Sequence, residues 1–457
     1  WRKVLLEFVS ANPTGPMHVG HGRQAAYGDA LGNLLAAAGD DVFREYYIND
    51  AGRQTEILAV SVWLRYLEVC GETLPFPQNG YRGDYIQPVA VRLHAQEGDA
   101  LRHAAASVLA DLPADAPAGD KDAYIDAVIA RARALIGEAA WQRVLALGLG
   151  AMLDEIRDDL AGLGVRYDRW TSEREFTASG AIDRALERLR TKDLLYVKDG
   201  ATWFRATQFG DDEDRVVVRE NGVKTYFASD IAYHLDKRER GFDSLIDVLG
   251  ADHHGYVNRL RAVAACAGDD PNRNIEVLIG QLVKMMKGGE EVRLSKRAGN
   301  IITLDDLVDE VGVDAARYSL IRYPVDSPLT LDLDLLIKRT NENPVFYVQY
   351  AHARISSVLR QAGELGIDMN LDQFDPAQLS DERESVLLAA LGEFPRVVTG
   401  AAELREPHRV ARYLEDLATD YHRFYDACRV LPQADEDRKS TRLNSSHVAL
   451  SRMPSSA

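Results

Sequence analysis

The sequence predicts an α/β protein, a parallel sheet flanked by helices, followed by an all-α bundle. Three observations carry this expectation. A strand–loop–helix–strand unit opens the chain. A second unit of the same kind recurs about 200 residues later. From residue 341 onward the apolar spacing is helical only.

Val4–Val9 reads as a buried strand because its apolar run is short and nearly continuous. Ser10 to Met17 is a Gly/Pro-rich loop. A helix follows from about His21 to Ala38, with Ala26, Ala30, Leu31, Leu34 and Leu35 on one face and Gly39 as its stop. Val42–Ile48 is the next strand. Parallel strands need a crossover, and the helix supplies it. The second unit comprises Leu245–Leu249, a loop at 250–255, a helix ending near Gly268, and Glu276–Leu282. Together these imply one Rossmann-like sheet over residues 1–340, split by two insertions. The first insertion, about 71–150, is Ala-rich and helical, and is broken between Pro113 and Asp120. The second, about 166–225, is mixed, with a strand–turn–strand signal over Val216–Tyr226 turning at Asn221-Gly222. Thr303, with Asp306 three residues on, marks a capped helix start. Residues 341–437 hold three or four amphipathic helices, with loops at Gly366–Pro376 and Glu406-Pro407. Residues 438–457 carry four basic and no acidic residues and six serines, without apolar periodicity. They are expected to be a disordered or non-native tail. The chain starts inside its first strand with Trp1 rather than Met, which reads as a piece of a longer protein.

Composition narrows the function classes. The 457 residues are 46% apolar, which excludes global disorder. The formal charge is −17, and −21 over 1–437, so a broadly basic nucleic-acid coat is excluded while a local basic groove is not. Cys70, Cys266 and Cys428 are too scattered for a disulfide framework or a zinc cluster. A reducing, cytoplasmic setting fits. No run of about 18 apolar residues suggests a membrane span.

Two constellations carry chemistry. The first is Pro16-Met17-His18-Val19-Gly20-His21-Gly22, two imidazoles in a Gly-rich loop that ends at a helix N-terminus. Such a terminus offers unpaired N–H groups and partial positive charge to an anion, and the histidines can donate to phosphate oxygens. The second is the loop Val292 to Asn300. From Lys284 to Arg297 five basic residues face two acidic ones, a local +3 in an acidic chain. A lysine there can neutralise pyrophosphate as a point charge. In an open parallel sheet both loops converge on the carboxyl edge, where ligands bind.

On these residues the chain resembles the class I aminoacyl-tRNA synthetases. His18-Val19-Gly20-His21 stands where that family has its HIGH motif, and Arg293-Leu294-Ser295-Lys296-Arg297 where it has KMSKS. Two departures are Arg293 for the first Lys and Arg297 for the last Ser. Four stretches resemble the bacterial arginyl-tRNA synthetases in particular: residues 9–23, Tyr46 to Gly52, Gly250 to Tyr256, and Gly312 to Tyr318. The likeness covers about 3–435, without the family's N-terminal RNA-binding domain and the end of its C-terminal domain.

The resemblance implies ATP-dependent ligation of L-arginine to tRNA(Arg) through an arginyl-adenylate, with Mg²⁺ accompanying ATP and no structural metal. It implies catalytic roles for His18, His21 and Lys296. Pro16, His18, Gly20, His21, Gly22, Asp252, Leu294, Ser295 and Lys296 would bind ATP. Glu7, Ser10, Asn12, Tyr226, Asp230, His253 and His254 would bind arginine. Tyr226 and Asp230 are four apart, so on a helix they share a face. Asp252, His253 and His254 are adjacent and cannot wrap one tetrahedral ion. Residues 341–437 would bind the anticodon, with Arg339, Tyr347, Arg354 and Arg360 contacting tRNA. A monomer is expected, and enzymes of this family usually need tRNA bound before they activate arginine. Two other readings stay open here: a small-molecule nucleotidylyltransferase, and a catalytically incompetent RNA-binding fragment.

Overall fold

The computed structural model describes residues 2–251, 257–292, 303–367, 375–428 and 430–431. It divides into two compact units. The first takes in residues 1–28, 41–282 and 292–308, the second 29–40, 283–291 and those from 309 on.

The strands of the first unit are β1 (Lys3–Phe8), β2 (Asp41–Ile48), β3 (Arg169–Ser172), β4 (Leu195–Lys198), β5 (Ala201–Phe204), β6 (Arg215–Val218), β7 (Ser244–Gly250) and β8 (Ile275–Gly280). Five of them form one sheet in the order β3-β2-β1-β7-β8, every pair parallel. β1 lies at its centre. Val4, Leu5, Leu6 and Phe8 are buried because a parallel strand with helices on both faces has no wet side. The four strands expected for this sheet, β1, β2, β7 and β8, are present with ends shifted by one or two residues.

The helices between these strands are α1 (Val19–Ala37), α2 (Arg53–Val69), α3 (Ile86–Glu97), α4 (Ala105–Val108), α5 (Lys121–Ile136), α6 (Glu138–Gly162), α7 (Glu173–Ala178), α8 (Ala181–Thr191), α9 (Tyr226–Glu239) and α10 (Val257–Ala267). Gly28 lets α1 press onto β1, since a Cβ there would lie 2.3 Å from the Phe8 ring. The helical insertion extends beyond 71–150 on both sides. α2, α3, α5 and α6 share one core around Trp63, Tyr66 and Trp141. The polar ends of two of these rings are satisfied within it: Trp63 Nε1 donates to the Leu101 carbonyl at 3.1 Å, and the Tyr66 hydroxyl to that of Gly98 at 2.6 Å.

β4, β5 and β6 form a separate antiparallel sheet. The strand–turn–strand expected over Val216–Tyr226 is only half present. The turn forms at Asn221-Gly222, with the Gly222 amide donating to the Arg219 carbonyl at 2.9 Å. Beyond it only Lys224 bridges to Val218. The Thr225 hydroxyl then donates to the Val216 carbonyl at 2.8 Å, and α9 begins at Tyr226. At the expected capped start, α11 (Leu304–Val311), the capping box is complete. The Thr303 amide donates to Asp306 Oδ2 at 2.8 Å, and the Asp306 amide to Thr303 Oγ1 at 3.0 Å.

The second unit holds β9 (Val283–Lys287), β10 (Glu290–Glu291) and β11 (Leu329–Asp332), paired in the order β10-β9-β11. Its helices include α12 (Val313–Ile321), α13 (Leu333–Leu336), α14 (Pro344–Glu364), α15 (Glu382–Gly392), α16 (Phe394–Leu404) and α17 (His408–Ala427). Asn343 caps α14 by accepting from the Val345 amide, and Pro344 occupies the first turn, where its missing N–H costs nothing. Ile355, Val358, Leu387, Leu417, Tyr421 and Phe424 form the bundle core. This unit therefore starts well before residue 341. Glu382–Leu404 is, by length and composition only, apolar enough to cross a membrane. It contains two helices, whose buried residues are Glu384 and Leu387 in α15 and Ala401 and Ala402 in α16. The tail at 438–457 lies outside the described residues.

Candidate active site

The site forms at the carboxyl edge of the parallel sheet, within the first unit. β1 ends at Phe8, and the backbone turns sharply through Val9 and Ser10, both at positive φ (70° and 43°). This aims the Ser10 hydroxyl back at the strand. It donates to Glu7 Oε1 at 3.2 Å and accepts from the Tyr47 amide at 3.0 Å. Asn12 follows, its side-chain amide donating to Gln54 at 2.8 Å. Pro16 is buried at the base of the loop.

His18 precedes α1, and His21 lies in its first turn. The Gly22 amide donates to the His18 carbonyl at 3.1 Å, closing that turn. Backbone amides reach both imidazoles. The His18 amide approaches His21 Nδ1 at 3.3 Å and the His21 amide approaches His18 Nδ1 at 3.4 Å. An Nδ1 that accepts leaves the ring proton on Nε2, so each neutral imidazole presents an Nε2–H donor. The loop is braced by the segment before α11. His18 bridges to Thr303, and the Leu304 amide donates to the Met17 carbonyl at 2.8 Å. Asp159 of α6 stands beside this brace, 4% exposed, with Oδ2 buried and unpartnered. Burial, then the Asp305 carboxylate, pushes its pKa to about 7.

Across the sheet, Glu7 is in register with Glu45 of β2 on one side and Asp247 of β7 on the other. Three carboxylates thus stand in a row. α9 supplies their counter-charges. Lys237 Nζ lies 2.6 Å from Glu7 and 2.9 Å from Asp247. Arg240 holds Glu45 through two nitrogens, at 2.6 and 3.1 Å. Burial raises the Glu45 pKa, but its bonds to Arg240 and Tyr233 more than reverse this and leave it below the ordinary value.

Tyr226 and Asp230 both lie on the first turns of α9, as their spacing predicts. Tyr226 is 68% exposed, and its hydroxyl sits 3.3 Å from where a Gly52 Cβ would be. Gly52 has φ +92°, so the turn after β2 both needs glycine and leaves room for this phenol. Asp230 is half-buried; burial, then the charges of Glu173 and Glu7, raises its pKa to about 8. Glu173, at the start of α7, is pushed to about 7 by burial and by Asp50. Asp50 is held by the Ser172 hydroxyl at 2.7 Å and the Arg174 amide at 2.9 Å. Tyr47 faces all four acids, and burial together with their charges raises its hydroxyl above the phenol range. Carboxylates whose pKa is raised by burial, such as Asp230 and Glu173, suit a cationic ligand, above all a planar guanidinium that can bond two of them at once. Glu173, Asp50, Tyr47 and Lys237 were missed in the sequence. Their only local signal was a charge at a helix end or a ring in a strand.

The structure thus brings Glu7, Ser10, Asn12, Tyr226 and Asp230 to one sheet edge with His18, Gly20, His21 and Gly22. Asp252, His253, His254, Leu294, Ser295 and Lys296 lie outside the described residues. In the second unit Arg339 and Arg360 are exposed. The Tyr347 hydroxyl is hydrogen-bonded to Thr419 at 3.2 Å, and Arg354 lies over the rings of Tyr350 and Tyr425 at 4.6 and 4.7 Å. Among the described residues, one group could offer three ligand atoms to a metal: Cys70, His94 and Asp99, within 4.8 Å of one another. Asp99 also lies 3.9 Å from Arg102, a competing cation.

Residues 1–71 and 154–322 match the family described as the class I tRNA synthetase (R) catalytic domain, and residues 348–449 match the DALR anticodon binding domain. The chain is 53% identical over 433 residues to the arginine–tRNA ligase of Thioalkalivibrio sulfidiphilus, covering 94% of this chain and 74% of that one. To the corresponding ligase of Legionella pneumophila strain Corby it is 48% identical over 442 residues, covering 96% and 75%. A solved structure from Campylobacter jejuni, described as an arginyl-tRNA synthetase, superposes with a TM-score of 0.82 at 33% identity, covering 99% of this chain and 91% of that one.

Proposed function

The chain belongs to the arginyl-tRNA synthetases of class I, and from that premise we propose how its own residues carry the reaction. It ligates arginine to tRNA at the expense of ATP. The single observation that carries the site assignment is the cluster of Glu7, Asp50, Glu173 and Asp230 around Tyr47, at the sheet edge that also carries the paired histidines of the nucleotide loop.

Arginine enters with its guanidinium between Asp230 and Glu173, oriented by the Tyr226 hydroxyl. Glu7 takes the α-ammonium, with Ser10 and Asn12 shaping the turn around it. His253 and His254 belong to the same side. ATP lies along the start of α1, over Pro16, Gly20 and Gly22, with Asp252, Leu294 and Ser295 as further contacts. One carboxylate oxygen of arginine attacks the α-phosphorus of ATP. The bond from that phosphorus to the bridging oxygen breaks, and pyrophosphate leaves with its Mg²⁺. The nucleophile is already ionised, so no general base is required. The chain contributes position and charge stabilisation through the Nε2–H groups of His18 and His21, the α1 terminus and Lys296. The 2′-hydroxyl of the terminal tRNA adenosine then attacks the adenylate carbonyl, and AMP leaves. The helical region matched as an anticodon-binding domain takes tRNA(Arg). Exposed Arg339 and Arg360 meet phosphates, while Tyr347 and Arg354 support the aromatic surface at Tyr350. The protein works in the cytoplasm as a monomer.

Arginine-dependent exchange of pyrophosphate into ATP, with tRNA present, tests this reading. Lys296→Ala should suppress exchange strongly and leave arginine binding nearly intact. Equal loss of both contradicts the role given to Lys296.

A further inference from the structure

Lys237 is 3% exposed. It is the last charged residue on the buried stripe of α9, seven positions and two turns beyond Asp230. A buried lysine is costly unless its charge is met, and here two carboxylates meet it. One is Glu7 of the central strand, the other Asp247 of the neighbouring strand, its register partner. Register partners in a parallel pair stand side by side, so without a cation between them the two charges would repel in a low-dielectric interior. Arg240 is occupied with the third acid of the row, Glu45. The Ser10 hydroxyl holds the other oxygen of Glu7.

From this geometry we infer that Lys237 is a positioning residue for the amino-acid substrate: it anchors and aims the Glu7 carboxylate, so that Glu7 can receive the α-ammonium of arginine. The inference rests on the assignment of Glu7 to that ammonium given above. Burial leaves the Glu7 pKa above its ordinary value, and Lys237 is the largest influence opposing that rise. The two carboxylates in turn raise the lysine's own pKa, so it stays charged. The same contact fastens the second half of α9 to the sheet, while its first turns present Tyr226 and Asp230. One helix thereby fixes both ends of the arginine site relative to each other, which makes the distance between ammonium and guanidinium a property of α9.

The test uses the whole chain and two ligands, arginine and 5-guanidinopentanoate, which is arginine without its α-amino group. Dissociation constants are measured by calorimetry. The wild-type protein should bind arginine much the more tightly. Lys237→Met should weaken arginine about tenfold or more, comparable with losing a charge-assisted contact, while changing guanidinopentanoate less than about twofold. That selectivity separates positioning from structural damage, which would weaken both ligands alike. Should the single variant not fold, Lys237→Met combined with Asp247→Asn removes a buried pair of opposite charges together and carries the same expectation. Equal weakening of both ligands, or of neither, overturns the role of Lys237. Equal affinity of the wild-type protein for the two ligands overturns the assignment of Glu7 itself, and the inference with it.

Discussion

His18 and His21 stack ring on ring, with centroids 3.6 Å apart and planes 16° from parallel. Two imidazolium ions would repel at that distance, and the role proposed for the pair is that of N–H donors at the helix start. Replacing either with Asn, which keeps a donor but not the stacked geometry, should lower the rate of adenylate formation about 10²–10³-fold. The dissociation constant of arginine should move less than about threefold. Rapid-quench kinetics beside equilibrium binding separates the two. A loss confined to arginine affinity would contradict the role.

The acids proposed to face the guanidinium predict a pH dependence of definite sign for arginine binding. Asp230 titrates at about 8 and Glu173 at about 7 in the unliganded protein, burial being the first cause for both. Arginine needs them ionised, so binding displaces protons. Affinity should fall as pH drops below about 8, approaching tenfold per pH unit for each proton displaced. Calorimetry at pH 7 in buffers of different ionisation enthalpy should report proton release on binding, reduced in Asp230→Asn. Proton uptake, or none, would refute this.

Asp159 makes a stability prediction. Its pKa in the folded state, about 7, lies above the ordinary 3.8. The folded state therefore holds a proton that the unfolded chain releases, and stability from this group declines as pH rises from about 4 to about 7. Asp159→Asn keeps an acceptor and loses the charge. It should be more stable than wild type at pH 8 by on the order of 1–3 kcal/mol, with the gain shrinking toward pH 4. Urea midpoints at the two pH values check it.

Gly28 predicts a steric cost. The Phe8 ring leaves no room for a methyl group on α1. Gly28→Ala should destabilise the protein by about 1–3 kcal/mol through overpacking, despite alanine's better helix propensity. A thermal melt that shows stabilisation would contradict the packing described.

The parallel sheet was legible because its strands are apolar runs, the first pair separated by a Gly/Pro-rich loop and a helix-length crossover. Tyr226 and Asp230 were legible as a pair because helical spacing is a local property. Lys237 was not. It sits in Asp236-Lys237-Arg238-Glu239-Arg240, which on its own reads as a solvated helix end. Only the alignment of β1 with β7 gives it two buried partners. Glu173 likewise looks like an acid favouring a helix N-terminus, and its part in the guanidinium wall depends on contacts with β2 and α9. The second strand expected after Asn221-Gly222 failed for a related reason. Thr225 turns the chain back onto β6 and starts α9 before a strand can extend.

The charging of tRNA tests the central claim most directly. The protein is incubated with ATP, tRNA(Arg) and each of the twenty amino acids in turn, and acid-precipitable aminoacyl-tRNA is measured. Arginine alone should be attached, and Asp230→Asn should abolish most of that signal. Charging by another amino acid, or arginine charging that is unchanged in Asp230→Asn, would contradict the site described.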